Sequence, residues 1–228
     1  QGVKFHNGEE LTADDVVASL LYAKSVPSSV NYTRNWEKVE ALDTYTVKIT
    51  TPRPYANVLA DLGYHFNWIM PKSLIESGHN FNEDPIGTGP YKFVKWVSGT
   101  ILTFEKFDDY FDADRAAKIP HLEFVIIPEG ASRAMALEAG EVDFVWETNA
   151  ANLFANEKIV VEEVNSVDNV ILFLNNDTSF KDVNLRRAVA AAINRQDIID
   201  GALRGFGVVN YTSISQGYAG STTKDQIE

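Results

Sequence analysis

Apolar and polar positions alternate and recur along this chain in a way that predicts short strands interleaved with helices. Val3 and Phe5 flank Lys4 and predict a strand that turns at Asn7-Gly8. Thr12 then stands as a helix cap. Asp14 and Asp15 fall in the first turn, where carboxylates meet the positive end of the helix dipole, and Val16, Val17, Leu20 and Leu21 form one face. Ser25 to Asn35 reads as a loop carrying Tyr32. Trp36 to Ala41 and Tyr45 to Thr50 read as a hairpin about Asp43-Thr44. A short helix from Tyr55 to Leu62, a brief buried strand from Phe66 to Met70, and a helix bounded by Pro71 and Gly78 follow.

The stretch Asp84-Pro-Ile-Gly-Thr-Gly-Pro-Tyr91 is the pivot of the pattern. Two prolines stiffen its ends, while Gly87 and Gly89 are free to take positive φ, so a sharp turn is expected there. A strand begins at Tyr91 and a second returns from Ile101 to Phe107 after Ser98-Gly99. Leu122 to Ile127 predicts a strand, Ser132 to Gly140 a helix and its stop, and Val142 to Trp146 and Lys158 to Val164 two more strands. Val170 to Leu174 is apolar without alternation, as expected of a strand buried on both faces. A helix from Leu185 to Asn194 presents Ala188, Ala191 and Ala192 for close packing. Gln196 to Leu203 continues helical until Gly205-Phe206-Gly207, and a loop runs from Val208 to Tyr218. Helices alternating with short strands predict an α/β protein.

Several motifs in this order resemble the extracellular solute-binding proteins of family 5, which serve oligopeptide, dipeptide and nickel ABC transporters. They are Val3-Lys-Phe-His-Asn-Gly8 with Leu11-Thr-Ala-Asp-Asp-Val16, Pro85-Ile-Gly-Thr-Gly-Pro-Tyr91 with Asp109-Tyr-Phe111, Ser132-Arg133 through Gly140-Glu-Val-Asp143, and Phe180-Lys-Asp-Val183 through Ala192-Ile-Asn-Arg195. Together they span nearly the whole chain. Asn184 and Asn194 depart from the family, which commonly has Arg and Asp there, with consequences for local salt bridges.

The resemblance implies a periplasmic-binding-protein-like fold (type II, cluster C) of which this chain is a fragment: residues 1–166 are most of lobe I, and residues 167–228 are a crossing strand and the start of lobe II. The first residues already read as a strand and the last as polar chain that closes no element, which predicts trimming at both ends. It also implies an extracytoplasmic location, in the periplasm or as a cell-surface lipoprotein. A monomer is expected, working with ABC permease subunits and touching the membrane only through a lipid anchor on a preceding segment. The ligand expected is a short peptide or other small molecule held between lobes, with a nickel chelate or oligosaccharide as alternatives. Tyr32, Asn149, Asn169, Tyr211 and Ser213 fall in regions that line the cleft in that family, and Ile171 lies in the crossing strand beside it. His65, at the start of a predicted buried strand, and Trp146, at the end of another, complete the candidate ligand-binding set.

Composition narrows the alternatives. Twenty basic against 32 acidic residues give a net charge of −12, which disfavours nucleic acid and anionic membrane surfaces. No apolar run approaches the roughly 18 residues of a membrane-spanning helix. Absence of cysteine excludes a disulfide scaffold and thiolate metal sites. The histidines, His6, His65, His79 and His121, share no ligand spacing, so no metal and no cofactor is expected. Gly87-Thr88-Gly89 precedes a strand and Gly205-x-Gly207 follows a helix, so neither offers a phosphate a helix N-terminus.

An extracellular hydrolase is the competing class. The acidic pairs Asp14/Asp15, Asp108/Asp109, Glu141/Asp143 and Glu162/Glu163 would need to place carboxyls roughly 5 to 9 Å apart across a pocket, which nothing in their spacing supports. No nucleophile elbow is present. A binding protein rather than an enzyme is the reading. A regulator that borrows the same fold would carry a DNA-binding or kinase segment in its flanks.

Overall fold

The computed structural model describes residues 1–146, 158–162, 168–212 and 214–215. The chain divides into two compact units, Gln1–Ile126 and Ile127–Glu228.

In the first unit, helix α1 (Ala13–Ser25) starts where Thr12 leaves extended backbone. Asp15 reaches back so that both the amide and the hydroxyl of Thr12 donate to its carboxylate, each at 2.8 Å. Leu20 lies fully inside and packs with Trp36 and Val39, against which Val16, Val17, Val47, Ile49, Leu62 and Ile69 close the core. Leu21, expected on the same face, is instead exposed: at one residue past Leu20 it is rotated by about 100° out of the stripe. The expected loop after α1 contains a 3₁₀ turn (Pro27–Ser29) and a short helix α2 (Val30–Thr33), so Tyr32 is helical. The hairpin forms as expected from β1 (Lys38–Asp43) and β2 (Thr46–Thr50), antiparallel. Helices α3 (Val58–Leu62) and α4 (Lys72–Ser77) follow; Gly78 ends α4 in the left-handed conformation at φ 74°, which a side chain would resist.

Strands β3 (Tyr91–Val97), β4 (Ile101–Lys106) and β5 (His121–Val125) form an antiparallel sheet in the order β3-β4-β5. A bulge between Phe93 and Lys95 keeps Phe93 and Trp96 on one face with Leu102, Phe104, Leu122 and Phe124, since Phe93 pairs with Phe104, Trp96 with Leu102, and these with Leu122 and Phe124. Phe93, Phe104 and Phe124 meet edge-on along that face at 6.0 and 5.8 Å. Trp96 and Phe124 remain exposed.

In the second unit, α5 (Gly130–Ala139) ends at Gly140 as expected. Helix α6 (Val183–Ala192) is capped by Asp182, which accepts from the Asn184 amide at 2.8 Å. The chain breaks at Ile193, and Asn194 caps α7 (Arg195–Gly201) by accepting from the Gln196 amide at 3.1 Å. Asn194 therefore serves as a cap rather than as the end of the preceding helix. Arginines in two of the matched motifs share a role. Arg133 donates to the carbonyls of Ile127 and Pro128, both at 2.8 Å, and Arg186 donates to those of Phe180 and Lys181 at 2.6 and 3.0 Å. Each fastens the segment that leads into its own helix.

Several expected strands are absent. Val3 to Phe5 makes one isolated bridge, Lys4 with Glu10, although Phe5 is fully buried. Phe66 to Met70 contains a 3₁₀ turn (His65–Asn67) rather than a strand. Val142 to Trp146 and the described part of 158–164 have no strand, nor does Val170 to Leu174, where Val170 is 98% exposed and Phe173 86%. A strand exists only where a second backbone satisfies its amides, and beyond the single bridge at Lys4 no described residue pairs in a ladder with these runs. Ala188, Ala191 and Ala192 are exposed as well. Both described sheets are antiparallel, so the rule that ligands gather at the carboxyl ends of parallel strands has no purchase here.

Candidate functional site: an aromatic ledge

The run Gly63-Tyr64-His65-Phe66-Asn67-Trp68-Ile69 is held from both ends and opens outward in the middle. Leu62 and Ile69 pack into the core cluster on either side. Asn67, buried, donates its side-chain amide to the Asp61 carbonyl at 2.6 Å, and Tyr55 donates its hydroxyl to the Asp61 carboxylate at 2.7 Å. Beyond Trp68, the buried Ser19 hydroxyl of α1 donates to the Met70 carbonyl at 3.1 Å and accepts from the Met70 amide at 2.8 Å. The Lys72 amide donates to Asp15 at 2.8 Å.

Between these anchors, rings accumulate. Tyr64 stacks on Tyr32 with centroids 3.9 Å apart and planes 14° from parallel. Phe66 lies 5.7 Å from Tyr32 and 5.8 Å from Tyr64. His65 lies 4.3 Å from Phe66 and 6.4 Å from Trp68, which is 71% exposed. The neighbouring Tyr64 hydroxyl holds the Tyr32 phenol above its usual range. Such a ledge offers π faces, hydroxyls and the His65 imidazole to a solute.

Replacing Ser19 with alanine leaves both Met70 backbone groups without their partner, and we expect it to cost about 1–3 kcal/mol of stability. Urea denaturation should show the midpoint falling with little change in slope.

The structure thus brings together Tyr32 and His65 of the expected site residues and adds Tyr64, Phe66 and Trp68. The density of rings in 64–68 was the available signal. In the second unit, Asn169 accepts at 2.8 Å from the side-chain amide of Asn210, whose own oxygen accepts from the Tyr211 amide at 3.0 Å. Arg195 sits over the Tyr211 ring at 5.8 Å, beside an open hollow of ≈ 230 Å³. Asn169 and Tyr211 are therefore linked through Asn210, and Arg195 joins them; neither partner stood out in the sequence. Trp146 is 72% exposed and lies 6.3 Å from Phe144, and Ile171 is partly exposed. Asn149 and Ser213 lie outside the described residues.

Two of the acidic pairs, Asp14/Asp15 and Asp108/Asp109, have structural partners. Asp108 pairs with Lys106 at 3.2 Å, Asp109 with Lys4 at 2.8 Å and Asp14 with Lys72 at 3.3 Å. Among the described residues, no group of three or more His, Asp or Glu could hold a metal ion.

The profile of the bacterial extracellular solute-binding proteins, family 5 Middle, matches residues 1–228. The chain is 32% identical over 232 residues to the oligopeptide-binding protein AppA of Bacillus subtilis, covering 92% of this chain and 41% of that protein. It is 29% identical to the glutathione-binding protein GsiB of Pectobacterium atrosepticum, covering 90% and 41%. Among solved structures, the periplasmic binding protein DppA of Helicobacter pylori in complex with the peptide STSA superposes with a TM-score of 0.80 at 29% identity, over 92% of this chain and 47% of that one. NikZ of Campylobacter jejuni in complex with Ni(L-His) gives 0.77 at 29% identity, over 92% and 44%. The chain spans about 41% of the length of the curated relatives it matches.

Proposed function

Because this chain belongs to family 5 of the bacterial extracellular solute-binding proteins, we propose that it forms part of the solute-capturing component of an ABC importer, and that its solute is a short peptide. The observation that carries this reading is the ledge. Its stacked rings stand on a segment fastened to α1 at Ser19 and to the core at Leu62 and Ile69, yet Tyr64 and Trp68 stay open to solvent. Rigid aromatic surface with hydroxyls at its edge suits apolar side chains and peptide groups, and it is built for holding rather than for bond breaking. The relatives named for oligopeptides and glutathione, and the neighbour solved with a peptide, support the same class.

In this reading residues 1–166 belong to lobe I, and the chain crosses to lobe II near Asn169. Asn169, Ile171 and Tyr211, with Trp146, Asn149 and Ser213, contribute to the ligand cleft. The protein works outside the cytoplasm as a monomer, delivers its cargo to permease subunits and cleaves nothing. A lipid anchor would hold it at the membrane.

The test is to purify the protein as its gene encodes it, extract what it retains and identify it by mass spectrometry. Unmodified short peptides are the expected cargo, and Tyr64→Ala should weaken their binding about tenfold in calorimetry, the loss of one well-packed ring contact. Hydrolysis of a peptide mixture, or retention of a non-peptide solute only, would overturn the reading.

A further inference from the structure

We propose that His6 is an acid-released latch that, while neutral, ties the three-stranded sheet of the first unit to the helical block built on α1. The ring is clasped on both nitrogens by the Gly87-Thr88-Gly89 loop. The Gly87 amide donates to Nδ1 at 3.3 Å, and Nε2 lies 3.0 Å from the Gly89 carbonyl. A carbonyl can only accept and an amide N–H can only donate, so the ring must be neutral with its proton on Nε2. The His6 amide adds a third bond, to the Gly87 carbonyl at 2.9 Å, and Phe107 packs edge-on against the ring at 5.1 Å. This also accounts for the glycine loop: Gly87 and Gly89 do not adopt the positive φ expected of them, and the turn is held by the imidazole instead.

Few other polar bonds couple the two parts. Within residues 1–126, all of which are described, Lys4 and His6 supply every hydrogen bond and ion pair between residues 1–84 and residues 85–126. The Lys4–Asp109 pair joins two exposed side chains, and such pairs add little. The clasp on His6 is therefore the principal polar tie.

Protonation of Nδ1 would set a second N–H against that of Gly87. Burial is the main influence holding the ring below the ordinary imidazole value; the Gly89 carbonyl opposes it, and Lys92 of β3, itself paired with Glu105 at 2.9 Å, reinforces it. A histidine depressed in the folded state binds fewer protons there than when unfolded, so the tie strengthens as pH rises. It is complete above the unfolded value of about 6.5 and weakens as pH falls below it.

The experiment is nitrogen-detected NMR of the histidine side chains of the 228-residue chain, with amide hydrogen exchange at pH 7.5 and pH 5. The Nε2–H tautomer is expected at pH 7.5. The protection factor of the Gly87 amide should fall at least tenfold at pH 5 in the wild type and stay level in His6→Asn. An Nδ1–H tautomer, unchanged Gly87 protection in the wild type, or an equal fall in His6→Asn would each overturn the proposal. Should His6→Asn fail to fold, the tautomer and the wild-type protection factors still decide. None of these readouts involves solute, so the latch and the transport reading stand or fall separately.

Discussion

Trp36→Ala should destabilise the first unit by about 3–5 kcal/mol, the range for removing a large ring from a packed interior. Trp36 is completely buried in one cluster with Leu20 of α1 and Val39 of β1, against which Leu62 and Ile69, the residues that bracket the ledge, also pack. Truncation therefore opens a cavity where helix, hairpin and ledge segment meet. These neighbours are anchored by other bonds and cannot all collapse into it. Domain stability is of the order of 5–15 kcal/mol, so the variant should retain little cooperative unfolding in urea near physiological temperature. Trp36→Phe is the informative control. The indole N–H is buried with no hydrogen-bond partner, so phenylalanine gives up volume but no polar contact and should lose distinctly less. Equal losses for the two variants would show that packing around this ring is not what holds the unit together.

The second large effect is expected from Asp15→Ala, at about 3 kcal/mol, from bonds to a charged acceptor and from donors left without one. Asp15 is buried, and one carboxylate serves three donors: the Thr12 amide and hydroxyl, and the Lys72 amide 57 residues away. It caps α1 and pins the start of α4 in one stroke. Asp15→Asn should recover only part of the loss, since its amide group can replace one accepting oxygen but not both. Denaturant midpoints for the two variants, measured beside wild type, check the order. A loss below 1 kcal/mol for the alanine would mean that α1 is capped by other means.

The sequence pattern carried the local structure well wherever local chemistry decides it. Thr12 and Asp15 start α1, a hairpin closes at Thr44-Tyr45, one residue past the expected Asp43-Thr44, and Gly78 and Gly140 stop their helices. It overreached wherever an element needs a distant partner. Phe144, Trp146, Val170 and Phe173 have the composition of strands and lie exposed, because β-propensity records fitness for a pleated surface without supplying a neighbouring backbone. The ledge was half legible. His65 stands out in the sequence at the start of an expected strand and Tyr32 through resemblance, but nothing local tells that α2 brings the Tyr32 ring to within 3.9 Å of Tyr64, 32 positions later. His6 shares no ligand spacing with the other histidines, and nothing in the sequence marks it as a tie. The choice of Gly87 and Gly89 as its partners, over 80 residues on, is a matter of tertiary placement.

The sheet β3-β4-β5 leaves a mark on the thermodynamics of the whole chain. Heat capacity on melting rises with the hydrocarbon newly brought into water, and Trp96 and Phe124 are already hydrated in the native state. Melting this sheet adds less to that increment than a sheet sealed on both sides would, so its share of the stability curve is shallow and changes little with temperature.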